Sequence, residues 1–265
     1  MAVRVDRLVR QLINLEVHLM ACQARLLAAT DSEALHNLRT GVRRLRSIVR
    51  PLRGLPGIEQ LEQAAADVGR LTTPLRDREV LAAYLLAHGQ TAAAGRRTLQ
   101  LREDYRCVAT SAELGKLFMV LDAAPRFMRA TQHLHLLRGL RRRVELRLAK
   151  QWKALDRALH DPNHDRHRLR LLVKRVRYSA EAYPDLEPVP PRVMARLTAC
   201  QSALGEWHDG WQWLLQAERE PDLMPCVEHW RQTMVMAEQR ADRELRRFGE
   251  TRVDGRPVWR RVWRK

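Results

Sequence analysis

Apolar residues recur at helical spacing from the start of the chain: Val5, Leu8, Leu12, Leu15, Leu19 and Leu26 share one side of a helix predicted over residues 3–29. A second amphipathic stretch follows at once, His36 to Arg50, reading HNLRTGVRRLRSIVR. At 100° per residue, Arg39, Arg43, Arg46 and Arg50 fall within about 80° of one another and of His36. Leu38, Val42, Leu45, Ile48, Val49 and Leu52 occupy the opposite side. Thr30-Asp31-Ser32-Glu33 reads as a capping box before this helix, and Gly54-Leu55-Pro56-Gly57 as the turn after it. Further helices are predicted over 58–70, broken by Thr72-Thr73-Pro74; from Arg76 to His88-Gly89; from about Ala92; and from Ala112 to Ala123, before Pro125. The second half begins with a long helix from Pro125 to Leu159, stopped by His160-Asp161-Pro162-Asn163. A helix from Asn163 or His164 to Pro184, a connector marked by Pro188, Pro190 and Pro191, and a helix from Arg192 to Leu204 come next. Gly205 to Gly210 reads as another break, followed by helices from Trp211 and from Met224 to Phe248. Period-two alternation is almost absent, so the chain reads as all-α, each half a bundle of about four main helices.

The cationic stretch is written twice. His167 to Glu181 reads HRLRLLVKRVRYSAE, and His36, Arg39, Arg43, Arg44 and Arg46 reappear 131 residues later as His167, Arg170, Lys174, Arg175 and Arg177. Both copies fit H-x2-R-x3-[RK]-R-x-R. A period this long implies two similar halves, since solenoid repeats run about 20 to 50 residues. The organisation predicted is an N-terminal half, 1–127; a C-terminal half repeating it, 128–250; and a basic tail, 251–265, in which Trp259 and Trp263 alternate with arginines.

Charge sharpens this picture. The 265 residues carry 48 Lys and Arg against 31 Asp and Glu, a formal net charge of +17, and Arg far outnumbers Lys. Guanidinium groups pair bidentately with phosphate oxygens and stay charged, so an Arg-biased basic protein expects a polyanion. A solvated helix face usually alternates sign, because like charges at i, i+4 are mutually destabilising. Four arginines in line without an acid therefore point to binding. The histidine opening each stripe either fixes the helix entry or adds charge beside bound phosphate. Tyr178 is the one aromatic within the stripes, a poor provision for stacking bases. Arg7, Arg10, Arg138, Arg141 and Arg142 form a second rank of basic candidates.

Other chemistries find little support. Cys22, Cys107, Cys200 and Cys226 are scattered without a C-x2-C pair and read as buried or partly buried thiols in a reducing compartment. No run of eighteen apolar residues suggests a membrane span, so a cytoplasmic protein is expected. His160, His164 and His167 resemble a metal cluster, but Pro162 interrupts the helical spacing, and no metal or other cofactor is expected. The nucleotide-binding and hydrolase motifs are absent, as is the E-x-E-x-K pattern that would hold Mg²⁺ in a triphosphate tunnel. Asp77 and Asp209 read as helix caps or ion-pair partners, and no catalytic residue is assigned.

The doubled motif resembles the two signature helices of the CHAD domain, the conserved-histidine α-helical domain. Arg76-Asp77-Arg78-Glu79-Val80 is similar to that family's R-D-x-[DE]-V, Leu204-Gly205-x-x-His208-Asp209 to its L-G-x-x-x-D, and Glu181 to its habitual acid. Thr72-Thr73-Pro74 departs from the usual Leu-Gly. The resemblance implies two pseudo-two-fold-related four-helix bundles forming one unit around a basic central cleft or pore that binds inorganic polyphosphate. His36, Arg39, Arg43 and Arg46 with His167, Arg170, Lys174 and Arg177 would be the ligands it implies, and Arg44 and Arg175 secondary contributors; Arg50 and Tyr178 complete the candidate set. Some members carry a fused triphosphate-hydrolysing domain; this chain reads as a stand-alone, non-enzymatic module, found at polyphosphate granules or with partner enzymes of polyphosphate metabolism. RNA or DNA binding, general polyanion binding, and an accessory role to a polyphosphate-acting phosphohydrolase are the alternatives.

Overall fold

The computed structural model describes residues 5–29, 31–161, 163, 165–186, 188–253 and 256–257. Helix α1 (Val5–Ala28) buries Val5, Leu8, Leu12, Leu15, Leu19 and Leu26, the positions its periodicity selects. Helix α2 (Ala34–Val49) likewise buries Leu38, Val42, Leu45, Ile48 and Val49, and a single 3-10 turn, Arg50–Leu52, carries Leu52 inward. Each such side chain contributes about 1.5–3 kcal/mol by leaving water. The two helices approach closely at Gly41, where an added Cβ would lie 2.8 Å from a terminal carbon of Leu19. The entry to α2 is not a capping box. Glu33 makes no side-chain cap; instead Asp31 Oδ1 accepts from the Glu33 N–H at 2.9 Å while Arg25 grips its carboxylate at 2.7 and 2.8 Å. Thr30 lies outside the described residues.

Three expected breaks do not occur. Helix α3 (Ile58–Ala87) continues through Thr72-Thr73-Pro74. Proline removes one backbone donor and crowds the preceding turn, yet Thr72 Oγ1 donates to Val68 O and Thr73 Oγ1 to Gly69 O, each at 2.8 Å, while Val68, Thr72 and Leu75 are buried. Tertiary packing on both sides outweighs the local penalty. After α4 (Thr91–Thr98) and α5 (Leu101–Ala109), helix α6 (Ala112–His133) runs through Pro125. The long helix expected from Pro125 to Leu159 is therefore two: α6 ends at His133, and α7 (Leu140–His160) starts after a turn in which Gly139 adopts φ +69°. Helix α9 (Pro191–Ala217) passes straight through Gly205 to Gly210. Gly210 marks a close approach to α10 (Met224–Gly249), with Met234 Sδ 3.3 Å from where a Cβ would stand.

The chain forms two compact units, Met1–Arg143 and Val144–Lys265, whereas the sequence pattern divides it at 127/128. In the first, α1 packs on α2, α2 on α3, α3 on α6 and α6 back on α1. In the second, one core takes Trp152 and Leu155 from α7, Val173 and Val176 from α8 (Arg166–Ala182), Leu197 and Leu204 from α9, and Leu245 and Phe248 from α10. Arg252–Val253 and Arg256–Pro257 pair antiparallel as a two-residue ladder, a minor addition to an all-α fold. Asp254, Gly255 and the tail's Trp259, Arg260, Arg261, Trp263, Arg264 and Lys265 lie outside the described residues. Among the described residues, no helix is long and apolar enough to cross a membrane.

Candidate anion-binding surfaces

In the first unit the cationic side of α2 is seated on α3. Arg39 Nη1 donates to Gly69 O at 3.2 Å, Thr72 Oγ1 at 2.8 Å and Thr73 Oγ1 at 3.1 Å. The residues read as a helix break are thus the cradle of the first stripe arginine. Burial pulls the Arg39 guanidinium below its ordinary value; Asp77 opposes this, and Arg43 and Arg76 add to it. Arg46 is more exceptional. Its Nε is buried with no hydrogen-bond partner, and burial together with Arg50 lowers its affinity for its proton, against the pull of Glu62. Arg46 lies over Gly69, which offers no side chain to receive it. Both groups stay cationic, since a guanidinium holds its proton far above neutral pH. His36 and Arg43 are half-buried and Arg44 is exposed.

Arg50 is ion-paired with α3. Its Nε donates to Glu62 Oε1 at 3.0 Å, and Arg53 clasps the same carboxylate from Nη2 at 2.6 Å and from Nε. Glu62 is buried; burial alone would raise its carboxyl, but the hydrogen bonds from Arg53 and Arg50 outweigh this and hold it below the usual range. The acid missing from the α2 sequence is supplied by α3, so the charge of Arg50 is already matched. The Arg76-Asp77-Arg78-Glu79 segment ties α3 to α5: Arg76 Nη1 and Tyr105 OH both donate to Glu79, at 2.9 and 2.5 Å, and Arg78 pairs with Asp104. Asp77 and Asp209 lie well inside α3 and α9 and cap neither.

The second unit repeats the design on α8 and α9. Asp165 caps α8, accepting from the N–H groups of His167 at 3.0 Å and Arg168 at 3.2 Å. His167 and Arg175 are exposed, while Arg170, Lys174, Arg177 and Tyr178 are half-buried. Arg177 is held at three points: Nε donates to Gln201 Oε1 at 2.9 Å, Nη1 meets Glu181 at 3.1 Å, and its guanidinium lies 4.6 Å from the Tyr178 ring centroid. The Tyr178 hydroxyl accepts from Gln201 Nε2 at 3.2 Å, so the tyrosine props Arg177. Gln201 stands 132 residues after Gly69, as Asp209 does after Asp77. Arg177 therefore has the partner that Arg46 lacks.

A family model for the CHAD domain matches residues 12–218. The chain belongs to the CHAD domain family. Its fold also matches a crystal structure of the CHAD domain from the plant Ricinus communis, at 21% sequence identity and a TM-score of 0.68, over 95% of this chain and 93% of that one. No curated protein matches.

The secondary basic candidates of this CHAD domain are dispersed: Arg7 and Arg10 are exposed on α1, Arg138 sits in the turn before α7, and Arg141 and Arg142 in the first turn of α7. Cys22, Cys200 and Cys226 are buried free thiols, but Cys107 is exposed on α5. Of the histidines that resembled a metal cluster, His160 turns back on Asp156, with Nδ1 2.8 Å from its carbonyl, and His164 lies outside the described residues. Among the described residues, no group of three or more His, Cys, Asp or Glu side chains is placed to hold a metal ion.

His167 instead meets a residue the sequence reading left out. Its ring centroid is 5.2 Å from that of His208 on α9. His208 falls within the Gly205 to Gly210 stretch that reads as a break, but α9 continues through it. It stands 132 residues after Arg76, a basic residue before an aspartate in both halves, and that register could have found it.

Proposed function

We propose that this CHAD domain is a non-enzymatic binding module for inorganic polyphosphate. One observation carries the reading: a row of half-buried cations, Arg39, Arg43 and Arg46 on α2, recurs in register as Arg170, Lys174 and Arg177 on α8. Members of each row stand about 4.5 to 6 Å apart along the helix axis. Partial burial lowers the local dielectric, so the rows repel themselves more than solvated charges do and reward an anion correspondingly. Arg46, half-buried and surrounded mostly by like charge, gains strongly from a phosphate oxygen. Within the stripes the one aromatic, Tyr178, is covered on one side by Arg177, a poor platform for stacking bases. Polyphosphate, among bare polyanions, is what the family resemblance implies. A place in the cytoplasm, at polyphosphate granules or beside enzymes of polyphosphate metabolism, belongs to the same reading.

The test is binding of a long polyphosphate as a function of salt. Affinity resting on cation rows falls linearly in log K against log salt, by analogy with nucleic acids. Affinity unchanged between about 50 and 200 mM salt would contradict the mechanism. Release of orthophosphate by the pure protein with a divalent cation would contradict the absence of catalysis.

A further inference from the structure

His208 sits in an environment that its own helix does not explain. Its Nδ1 is buried with no hydrogen-bond partner, and Nε2 has none among the described residues. The rings of Trp207 and Trp211 lie 6.4 and 6.0 Å away on α9, and His167 stands 5.2 Å away on α8. The charges acting on it are the cations of the α8 stripe: Arg170, His167 and Lys174. The acids of the neighbouring elements are engaged. Glu238 and Asp242 on α10 are bound by Arg166 at 2.9 Å each, and Glu206 on α9 by Arg240 at 2.7 Å. Asp209 follows His208 in the chain and has interactions of its own, and Asp222 lies beyond the end of α9.

We propose that His208 is a fourth anion ligand in the second unit, beside His167, Arg170 and Lys174, and that it takes up a proton when the anion binds. The proposal rests on the polyanion-binding reading above. In the empty protein, burial and then Arg170, His167 and Lys174 push the imidazole down to about 4, so it is neutral near pH 7. A phosphate seated among these groups reverses the sign of the local field. The charged imidazolium then gains a partner, the proton comes from solvent, and Nε2, the ring nitrogen that is not buried, is the donor open to the anion. The site thereby acquires a charge only when it is filled. The equivalent position in the first unit carries Arg76, a permanent cation already paired with Glu79, so at this position proton uptake belongs to the second unit.

Linkage fixes the consequence: affinity rises as pH falls, by up to about tenfold per pH unit for one full proton taken up. The experiment measures affinity of the full chain for a long polyphosphate, whose chain ends are few, from pH 8 to pH 5.5, for the native protein and His208→Gln. Calorimetry in two buffers of different ionisation enthalpy counts the protons taken up. The native protein should bind more tightly at low pH with net proton uptake, and H208Q should lose a substantial part of both. Titration of the His208 ring by NMR, without and with polyphosphate, reads the same event without relying on the variant; its midpoint should climb from about 4 on binding. Binding with the same pH slope and proton count in H208Q, or an unmoved His208 midpoint, overturns this proposal and leaves the proposed function standing. No binding at any pH overturns both.

Discussion

Arg46 separates a ligand from a structural ion pair, and Arg46→Gln is the perturbation that shows it. Its Nε is buried without a partner, and its near charges are mostly like charges: Arg50, Arg70 and Arg53, against Glu62 alone. A buried unsatisfied donor costs about 1–3 kcal/mol, so removing the guanidinium should leave stability unchanged or raise it by up to about 1 kcal/mol, the glutamine stem retaining much of the packing. A charge-assisted contact to phosphate is worth about 1.5–3 kcal/mol, so polyphosphate affinity should drop about ten- to hundredfold. The slope of log K on log salt should flatten by about 0.7–0.9, one phosphate's worth. Arg50→Gln is the control on the same stripe. It gives up a hydrogen bond to buried Glu62 and should lose about 1–3 kcal/mol of stability while affinity changes less than about threefold. The assays are denaturant unfolding and direct binding at several salt concentrations. If R46Q is clearly destabilised with binding intact, Arg46 is a structural residue and not a ligand.

Three further outcomes follow from the same contacts. Glu62→Gln should destabilise the protein by about 1–3 kcal/mol near pH 7. Because the Glu62 carboxyl is held below its ordinary value, the stabilisation it contributes is present above about pH 4.5 and is lost as pH falls through the folded value, so native and E62Q proteins should converge in acid by denaturant titration. Tyr178→Phe removes the hydroxyl that receives Gln201 but keeps the ring beneath Arg177, so affinity should fall less than about threefold; a larger loss would make the hydroxyl a ligand. For His208 the folded value, about 4, lies below the ordinary unfolded value of about 6.5, so the unfolded chain binds more protons between them. Stability of the empty protein should therefore decline as pH drops from about 6.5 towards 4, and H208Q should flatten that decline in thermal melts.

The apolar faces and the cationic rows were legible in the sequence because both obey the helical period. Every apolar position read on α1 and α2 is buried, and the doubled motif lies on α2 and α8. What escaped the reading was tertiary. Pro74, Pro125 and Gly205 to Gly210 are local breakers, yet each lies inside a helix whose neighbours hold it. Around Pro74 the hydroxyls of Thr72 and Thr73, together with Arg39, satisfy carbonyls of the preceding turn, so the motif's departure from Leu-Gly built part of the site. The sequence shows no counter-charge for Arg50 because Glu62 stands twelve residues away on another helix. A break over Gly205 to Gly210 gives His208 no helix face, whereas on the continuous α9 it faces His167.

Competition between polyanions distinguishes a site shaped for bare phosphate from a general attraction of charge. A labelled long polyphosphate is bound at about 150 mM salt, where surface charge is screened beyond roughly 8 Å, and RNA of matched charge is added in excess. Half-buried cation rows shaped for bare phosphate should keep the polyphosphate bound. Displacement one for one by charge would contradict a site shaped for bare phosphate and make the domain a general polyanion binder.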